Sequence, residues 1–137
     1  MKNFEEKWTK WNPSSFPEGE YIVTEFYQNL EGTKLTLEED EKIATVFFDG
    51  IPYLVREAIE GLRMRTWVEV QKKYNNQSFF RCWFLYVVDN SELVKWAKEE
   101  SCGFYDMQEL KHFCIVTGEE MVDILATFEP LVTIADK

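Results

Sequence analysis

The chain has 137 residues, of which 45% are apolar, 16% aromatic and 29% charged. This composition excludes intrinsic disorder, and the length fits a single domain over residues 1–137. Acidic residues outnumber basic ones by 25 to 15, which gives a net charge of −10. Nucleic acids and anionic membranes are both bound through Lys and Arg, so neither is an expected partner.

The segment at residues 1–19 carries Trp8 and Trp11, which are three positions apart. This spacing predicts a short helix over residues 4–11 that packs both rings across the domain. No signal peptide or lipidation motif is recognisable in the segment, so the expected location is the cytoplasm. A reducing compartment also fits the cysteines, which are odd in number and share no CxxC spacing: Cys82, Cys102 and Cys114.

Alternating apolar and polar residues predict strands in the first half of the chain. They are expected at residues 20–26, 33–37 and 42–48. Asp49 and Gly50 then form a dipeptide typical of a two-residue hairpin turn. The following segment, residues 52–61, fits a helix with Pro52 in its first turn as well as a strand, and the preceding turn favours the strand.

Four consecutive acidic residues lie between the second and third of these strands, namely Glu38, Glu39, Asp40 and Glu41. They are either a solvated loop, a docking patch for a basic partner, or a cation loop. A Ca²⁺ loop needs alternating oxygen ligands and a glycine at the bend, which this run lacks, so no metal is predicted. The docking patch is the candidate partner-binding site, and the solvated loop is its simpler alternative.

The next stretch, residues 63–74, alternates again and predicts a strand with a basic outward face. The cations between residues 63 and 81 are Arg63, Arg65, Lys72, Lys73 and Arg81. Cations interleaved with aromatic residues are typical of an anion-binding groove. The simpler interpretation is that they pair with Glu57 and the acidic run, since opposite charges on neighbouring strands stabilise a sheet.

The stretch FFRCWFLYVV, residues 79–88, has nine apolar residues in ten and predicts the central strand, covered on both faces. A curved sheet and the helix that follows can enclose an apolar pocket. The residues expected to line that pocket are Trp83, Phe84, Tyr86 and Trp96. A protein that binds a small apolar molecule is accordingly the second functional hypothesis.

A helix is predicted at residues 91–101, after the capping residues 89–91 and before Gly103. Its apolar stripe includes Trp96 and is expected to cover one face of the central strand. The elements together predict an α+β fold made mostly of antiparallel sheet, with this helix packed on it.

Residues 110–117 alternate as a further strand, and residues 131–134 are expected to be extended. The segment between them, residues 119–128, fits a returning hairpin strand. It also fits a helix, because Thr117 and Glu120 match a capping box. The β character of the preceding segment favours the hairpin.

A single histidine, His112, limits the catalytic options. It has no partner at zinc-site spacing, and its place in an alternating strand is typical of a buried structural histidine. Cys102 or Cys114 with His112 would supply a nucleophile and a base, but their neighbours give no sign of activation. No catalytic or cofactor motif is present, so a hydrolase is the third hypothesis and no cofactor is expected.

The later half of the chain has NSELVKWAKEES after an aromatic strand, then KHFCIVT and VDILATFEP. It resembles small uncharacterised proteins of Bacillus-type bacteria, a group linked with immunity partners of secreted toxins. The motifs are structural, so the resemblance implies no site residue. It implies a module that neutralises a basic toxin, which the acidic composition also allows. The leading hypothesis is a non-enzymatic, acidic protein-binding module.

Overall fold

A computed structural model describes residues 3–137 as two antiparallel sheets with two helices. The strands are β1 (Lys7–Lys10), β2 (Ile22–Asn29), β3 (Gly32–Glu38), β4 (Lys42–Asp49), β5 (Leu54–Ile59), β6 (Leu85–Asp89), β7 (Lys111–Val116), β8 (Glu120–Ala126) and β9 (Leu131–Asp136). The helices are α1 (Met64–Lys73) and α2 (Glu92–Glu100), and a 3-10 turn, Glu60–Arg63, precedes α1. The predicted α+β class and the helix near residues 91–101 are confirmed.

The five-stranded sheet has the order β1-β6-β7-β8-β5, and the four-stranded sheet has the order β2-β3-β4-β9. The two sheets pack face to face through aromatic side chains, with the Phe48 ring of β4 5.7 Å from the Phe113 ring of β7. Strand β7 is the middle of the larger sheet, and every residue from His112 to Val116 is buried. One face of this sheet therefore packs on the smaller sheet, and we call the other, which carries His112 and the helices, the helix-covered face.

The prediction of a central strand over residues 79–88 is wrong for its first half. Phe79 and Phe80 lie in a turn, and the strand begins at Leu85 as the second strand of its sheet. The turn is held by the buried hydroxyl of Tyr86, which donates to the Phe79 carbonyl at 2.8 Å, and by an aromatic cluster that includes Trp8. A run of aromatic residues can be buried in a side-chain cluster as well as in a strand, so the apolar composition of residues 79–88 did not distinguish the two.

The prediction of a strand over residues 63–74 is also wrong, because this segment is the 3-10 turn followed by α1. Trp67 and Val70 are three positions apart, and both face inward. The Trp67 ring lies 4.8 Å from the Phe80 ring, and Val70 is fully buried. Over so short a stretch, the alternation of arginines with apolar residues was compatible with the two-residue period of a strand and with the 3.6-residue period of a helix.

The N-terminal helix predicted over residues 4–11 is a strand instead, β1, which pairs with β6 in the register Trp8↔Val88. The Trp8 ring is buried on the helix-covered face beside His112, whereas the Trp11 ring packs on Phe113 on the opposite face. An odd spacing in extended chain puts two side chains on opposite faces. The two tryptophans therefore bind the segment to both sides of the sheet.

Asp49 and Gly50 do not form the predicted hairpin turn, since β4 pairs with β3 and β9 while β5 pairs with β8 in the other sheet. The dipeptide begins a crossover between sheets. Gly50 has a φ of 139°, and a Cβ there would lie 3.3 Å from the Phe128 ring. Glycine is needed because of this backbone conformation and close approach.

Two predictions that had a helical alternative are confirmed as strands. The segment at residues 52–61 contains β5, and the segment at residues 119–128 contains β8, which forms a hairpin with β7. The capping-box pattern caps the hairpin turn, because Thr117 Oγ1 accepts from the backbone N–H groups of Glu119 and Glu120. Within residues 3–137, none of the helices is long and apolar enough to cross a lipid bilayer.

Candidate functional site

The acidic run lies at the turn between β3 and β4, on the smaller sheet. Glu38 pairs with Lys137 at 3.2 Å, and its hydrogen bonds with Thr24 and then Lys137 lower its pKa. Asp40 and Glu41 are exposed. Three of the cations that were expected to neutralise this run contact other acids: Arg63 contacts Asp123, Arg65 contacts Glu92, and Arg81 contacts Glu20. The turn therefore keeps two exposed carboxylates.

The four residues expected to line an apolar pocket do not come together. Trp83, Phe84 and Tyr86 are at most 1% exposed and belong to the core, whereas Trp96 is 51% exposed. Burial raises the pKa of the Tyr86 hydroxyl well above its usual value. Of the four, Trp96 is the residue that lines the cavities between the sheet and α2.

A cavity of about 840 Å³ lies between β5, the start of α1 and the start of α2, and we call it the polar cavity. Its lining includes three cations, Arg56, Arg63 and Arg65, and three acids, Glu6, Glu57 and Glu92. Of these, Glu57 belongs to the edge strand β5, and its side chain is directed to the opposite face of the sheet. In a molecule with a net charge of −10, a cavity with as many cations as acids departs from the acidic balance of the whole chain. Arginine side chains in such a place can bind a carboxylate.

Two of these arginines are held in place by a buried carboxylate, Asp123 on β8. Arg56 Nε donates to Asp123 Oδ2 at 2.8 Å, and Arg63 Nη1 donates to the same oxygen. Burial of Asp123 opposes its ionisation, but the His112 hydrogen bond and the two guanidinium charges hold its pKa well below the usual value. Asp123 is therefore a carboxylate at neutral pH, and it fixes both arginines at the cavity floor.

His112 extends this network to the start of α2. Its Nε2 lies 2.7 Å from Asp123 Oδ1, and its Nδ1 lies 2.7 Å from Ser91 Oγ. Because Asp123 is ionised, Nε2 carries a hydrogen and donates it; in the neutral ring, Nδ1 then accepts from the Ser91 hydroxyl. Ser91 Oγ also accepts from Val94 N at 3.0 Å, which makes Ser91 the N-cap of α2.

Ser, His and Asp in series are the groups of a hydrolytic triad, but here they are buried. Ser91 is 4% exposed, and its oxygen already accepts the helix N–H. A nucleophile must reach substrate, and a capping oxygen under the helix cannot. The series therefore serves to connect the helix cap to the arginines of the polar cavity.

Glu6 provides a second cap at the same helix terminus. Its Oε2 accepts from the backbone N of Glu92 at 2.8 Å, and its Oε1 accepts from Trp8 Nε1 at 3.1 Å. A carboxylate at a helix N-terminus is favoured by the helix dipole. Two side chains far apart in sequence, Glu6 and Ser91, thus fix where α2 begins.

His112, Cys114 and Asp123 bring their ligand atoms within 4.8 Å of one another. Asp123 already binds two arginines and the histidine. Burial and then the charge of Asp123 raise the pKa of Cys114 well above its usual value, so the sulfur remains a thiol. Metal binding requires a thiolate and a free carboxylate, and this cluster does not fit a metal ion.

A second cavity, of about 510 Å³, adjoins the first, shares Leu54 and Trp96 with it, and has a mainly apolar lining. We call it the apolar cavity. Tyr53 and Tyr105 close one side, with ring centroids 5.5 Å apart. Phe104, which packs on Tyr105, is 82% exposed. Large aromatic side chains are thus presented to solvent around this cavity.

Strand β5 is an edge of the five-stranded sheet, and within residues 3–137 it pairs with β8 alone. Glu60 N donates to Glu119 O at 2.9 Å, in continuation of the β5–β8 register. Alternate residues of an antiparallel strand bond to the same neighbour, so the N–H groups of Val55, Glu57 and Ile59 point away from β8. We call this side of the strand the β5 edge.

Exposed apolar side chains lie at both ends of the β5 edge. Ile51 and Tyr53 precede the strand, Ile59 is its last residue, and Leu62 follows in the 3-10 turn. Ile59 and Leu62 are 66% and 76% exposed. Single exposed apolar residues are normal, but a group of them around the open side of an edge strand is typical of an interaction surface.

A carboxyl pair lies beside the β5 edge on the other face. Burial of Glu120, then a hydrogen bond with Glu57, and then the charges of Glu57 and Glu119 raise the pKa of Glu120 to about 7. Glu57 itself is exposed on the edge strand. Glu120 therefore still holds a proton at pH values at which isolated glutamates are ionised, and its hydrogen bond is to Glu57.

The residues that organise this region were missed at the level of sequence, above all Asp123 and Arg56. One signal was available, because Asp123 is the single charge within the apolar run MVDILA, and a buried charge needs a partner. Its partners lie about sixty residues away on β5 and the 3-10 turn, where spacing gives no indication. Comparison of the chain with protein-family models, curated proteins and solved structures found no match.

Proposed function

We propose that the protein is a non-enzymatic protein-binding module whose interface is the β5 edge. One observation carries the proposal: within residues 3–137, one side of the edge strand β5 has no neighbouring strand, and this open side has exposed apolar side chains at both ends and two cavities beside it. Strand addition to an open edge is a common mode of recognition, in which backbone hydrogen bonds give affinity and pockets give specificity.

Charge supports a basic partner. A net charge of −10 attracts cationic proteins over long range, and Asp40 and Glu41 add two exposed carboxylates at one turn. A basic toxin neutralised by an immunity-type inhibitor is the partner class that the resemblance implies. The unpaired thiols Cys82, Cys102 and Cys114 suit a reducing compartment, so the proposed location is the cytoplasm.

Affinity capture with matched baits tests the proposal. Val55→Pro removes one outward N–H group and adds a ring at the β5 edge, where proline is tolerated because no ladder bond is lost. Val55→Thr keeps that N–H group and nearly the same shape. We expect a basic protein to be retained by the wild-type and Val55→Thr baits and lost with Val55→Pro.

A second bait guards against a folding defect. Leu62→Lys changes a side chain that is mostly exposed, so it should leave the melting temperature unchanged and still reduce capture. Circular dichroism would show whether each variant is folded. Equal capture by wild type, Val55→Pro and Leu62→Lys would overturn the proposal, as would the retention of no protein by any bait.

A second candidate function is the binding of a small apolar molecule in the apolar cavity. The observation that favours it is the aromatic lining by Tyr53, Trp96 and Tyr105 between the sheet and α2. Mass spectrometry of the protein purified without denaturation would reveal a bound compound. Loss of that compound in Trp96→Ala, with retention in a surface control such as Lys98→Ala, would support this second function.

A further inference from the structure

The side chains of β5 alternate between two faces that differ in chemistry. Leu54 and Arg56 are on the helix-covered face, since they pair with Leu125 and Asp123. Leu54 lines the apolar cavity and Arg56 the polar cavity. Glu57 is on the opposite face, close to Glu120. A strand added to the β5 edge would therefore meet an apolar, a cationic and an anionic position at fixed spacing.

Directly opposed residues of an antiparallel pair share a face. The residue opposite Arg56 thus points toward the polar cavity, where an acidic side chain is favoured. The residue two positions later on the partner lies opposite Leu54 and points toward the apolar cavity. The residue one position earlier lies opposite Glu57, where a basic side chain is favoured.

Arg56 is suited to this contact because of how it is held. Within residues 3–137, the Arg56 side chain makes one hydrogen bond, from Nε to Asp123. The side chain is 43% exposed. The fixed guanidinium therefore presents its terminal N–H groups to the cavity. Arg63 on the same carboxylate is mostly covered. A preorganised donor loses little conformational freedom on binding a carboxylate.

A second copy of this chain is a poorer occupant of the β5 edge. In a symmetric antiparallel pair, each β5 residue lies opposite a residue of the second copy whose side chain is on the same face of the sheet. The registers centred on the middle of β5 then place Arg56 opposite Arg56, or Glu57 opposite Glu57. Like charges directly opposed destabilise a strand pair. The charge pattern therefore favours a different chain.

We propose that the β5 edge binds an antiparallel strand of a partner with the order basic, acidic, any residue, apolar. This inference rests on the proposed function, and it adds the chemistry of the segment that is recognised. Antiparallel addition continues the pairing of the five-stranded sheet, in which every neighbouring pair is antiparallel. Antiparallel pairs are also slightly more stable per residue.

Labelled peptides of about eight residues test the pattern by fluorescence anisotropy. The first contains Lys-Glu-Thr-Phe at its centre, the second has the charges exchanged as Glu-Lys-Thr-Phe, and the third runs in reverse as Phe-Thr-Glu-Lys. We expect the first to bind most tightly, and each misplaced charge to weaken binding about two- to fivefold. Equal binding of all three, tighter binding of the reversed peptide, or no binding up to about 1 mM would overturn the inference.

A charge exchange on the protein provides the specific control. Glu57→Lys should weaken binding of the first peptide and strengthen binding of a Glu-Glu-Thr-Phe peptide, since the contact is restored with opposite signs. Glu57 is exposed, so this variant should fold. Val55→Pro should abolish binding of every peptide. Binding that persists in Val55→Pro would mean that the strand is not added at the β5 edge.

Failure of the inferred pattern and failure of the proposed interface would give different results. If a basic protein is captured in a Val55-dependent manner and the peptides show no preference, the inferred pattern is wrong while the proposed interface stands. If capture is indifferent to Val55→Pro, the interface itself is wrong.

Discussion

Asp123 is a buried carboxylate that joins three cationic or hydrogen-bonding side chains from three parts of the chain. Arg56, Arg63 and His112 all contact it, and its own side chain has no exposed surface. A buried ion pair gives little net stability by itself, but removal of one partner leaves the other without compensation. The residue therefore matters most for where its partners are held.

Replacement of Asp123 by Asn should destabilise the fold by about 3 kcal/mol, because Arg63 would keep a largely buried positive charge without a counter-ion. Urea unfolding at pH 7 would measure the loss. The matched control is Asp136→Asn, which breaks an exposed pair with Lys42 and should have little effect. Equal effects of the two variants would contradict this account.

The sign of the pH effect follows from the pKa of Asp123, which is lowered in the folded state. The stabilisation is complete above the unfolded value of about 3.9 and is lost as the pH falls below it. Acid unfolding of the wild type should therefore be steeper below about pH 4 than that of Asp123→Asn.

Glu120 is expected to act in the opposite direction. Its pKa is raised to about 7 in the folded protein, so it binds a proton there more readily than in the unfolded chain. Stability should decrease as the pH rises from about 4.5 to about 7. Glu120→Gln should therefore raise the melting temperature at pH 8 and have little effect at pH 4.5, whereas a parallel shift at both values would exclude this cause.

At the scale of the element, α2 is determined by its N-terminus. Ser91 and Glu6 cap it, and Ser91 is itself held by His112. Ser91→Ala should cost about 1–2 kcal/mol, because the Val94 N–H loses its acceptor and His112 loses a partner. Thermal unfolding would measure the change. Ser101→Ala at the other helix end is the control, and a loss of equal size there would argue against a special role for the cap.

Some strands and helices could be predicted from local sequence patterns, and others could not. Local sequence patterns were sufficient to predict β2, β3, β4 and β7, which alternate in polarity, and α2, which has capping residues and an apolar stripe. For β9, the segment after Pro130 was expected to be extended. Helix α1 was missed because the arginines before Trp67 alternate with apolar residues as in a strand, and because the inward position of Trp67 depends on its contact with Phe80, which lies outside the helix. The turn at Phe79 was missed because its burial depends on Trp8 and Tyr86.

The candidate site was less predictable than the fold for a related reason. Its groups come from the N-terminal segment, β5, the 3-10 turn, α2, β7 and β8, and only the tertiary fold brings them together. Trp96 could be identified as a cavity-lining residue because it belongs to the apolar stripe of α2, which faces the sheet. Arg56 could not, since the residue that fixes it is Asp123, about sixty positions away.

For the whole molecule, the net charge of −10 should act on the rate at which a basic partner is found. Replacing both Asp40 and Glu41 by Lys should slow association and weaken its dependence on salt, with little change in dissociation, because these carboxylates are remote from the β5 edge. Surface plasmon resonance at low and physiological salt would separate the two rates. A change confined to dissociation would place these residues inside the interface.

The open side of β5 also has a consequence for amide exchange with solvent. Val55, Glu57 and Ile59 direct their N–H groups outward, whereas the alternate residues bond to β8. In the free protein, deuterium uptake should therefore alternate along this strand, rapid at the odd positions and slow at the even ones. An added strand would provide acceptors for the odd-numbered amides, so that all amides of β5 would exchange slowly. Loss of the alternation between fast and slow exchange would therefore show that a strand is bound at the β5 edge.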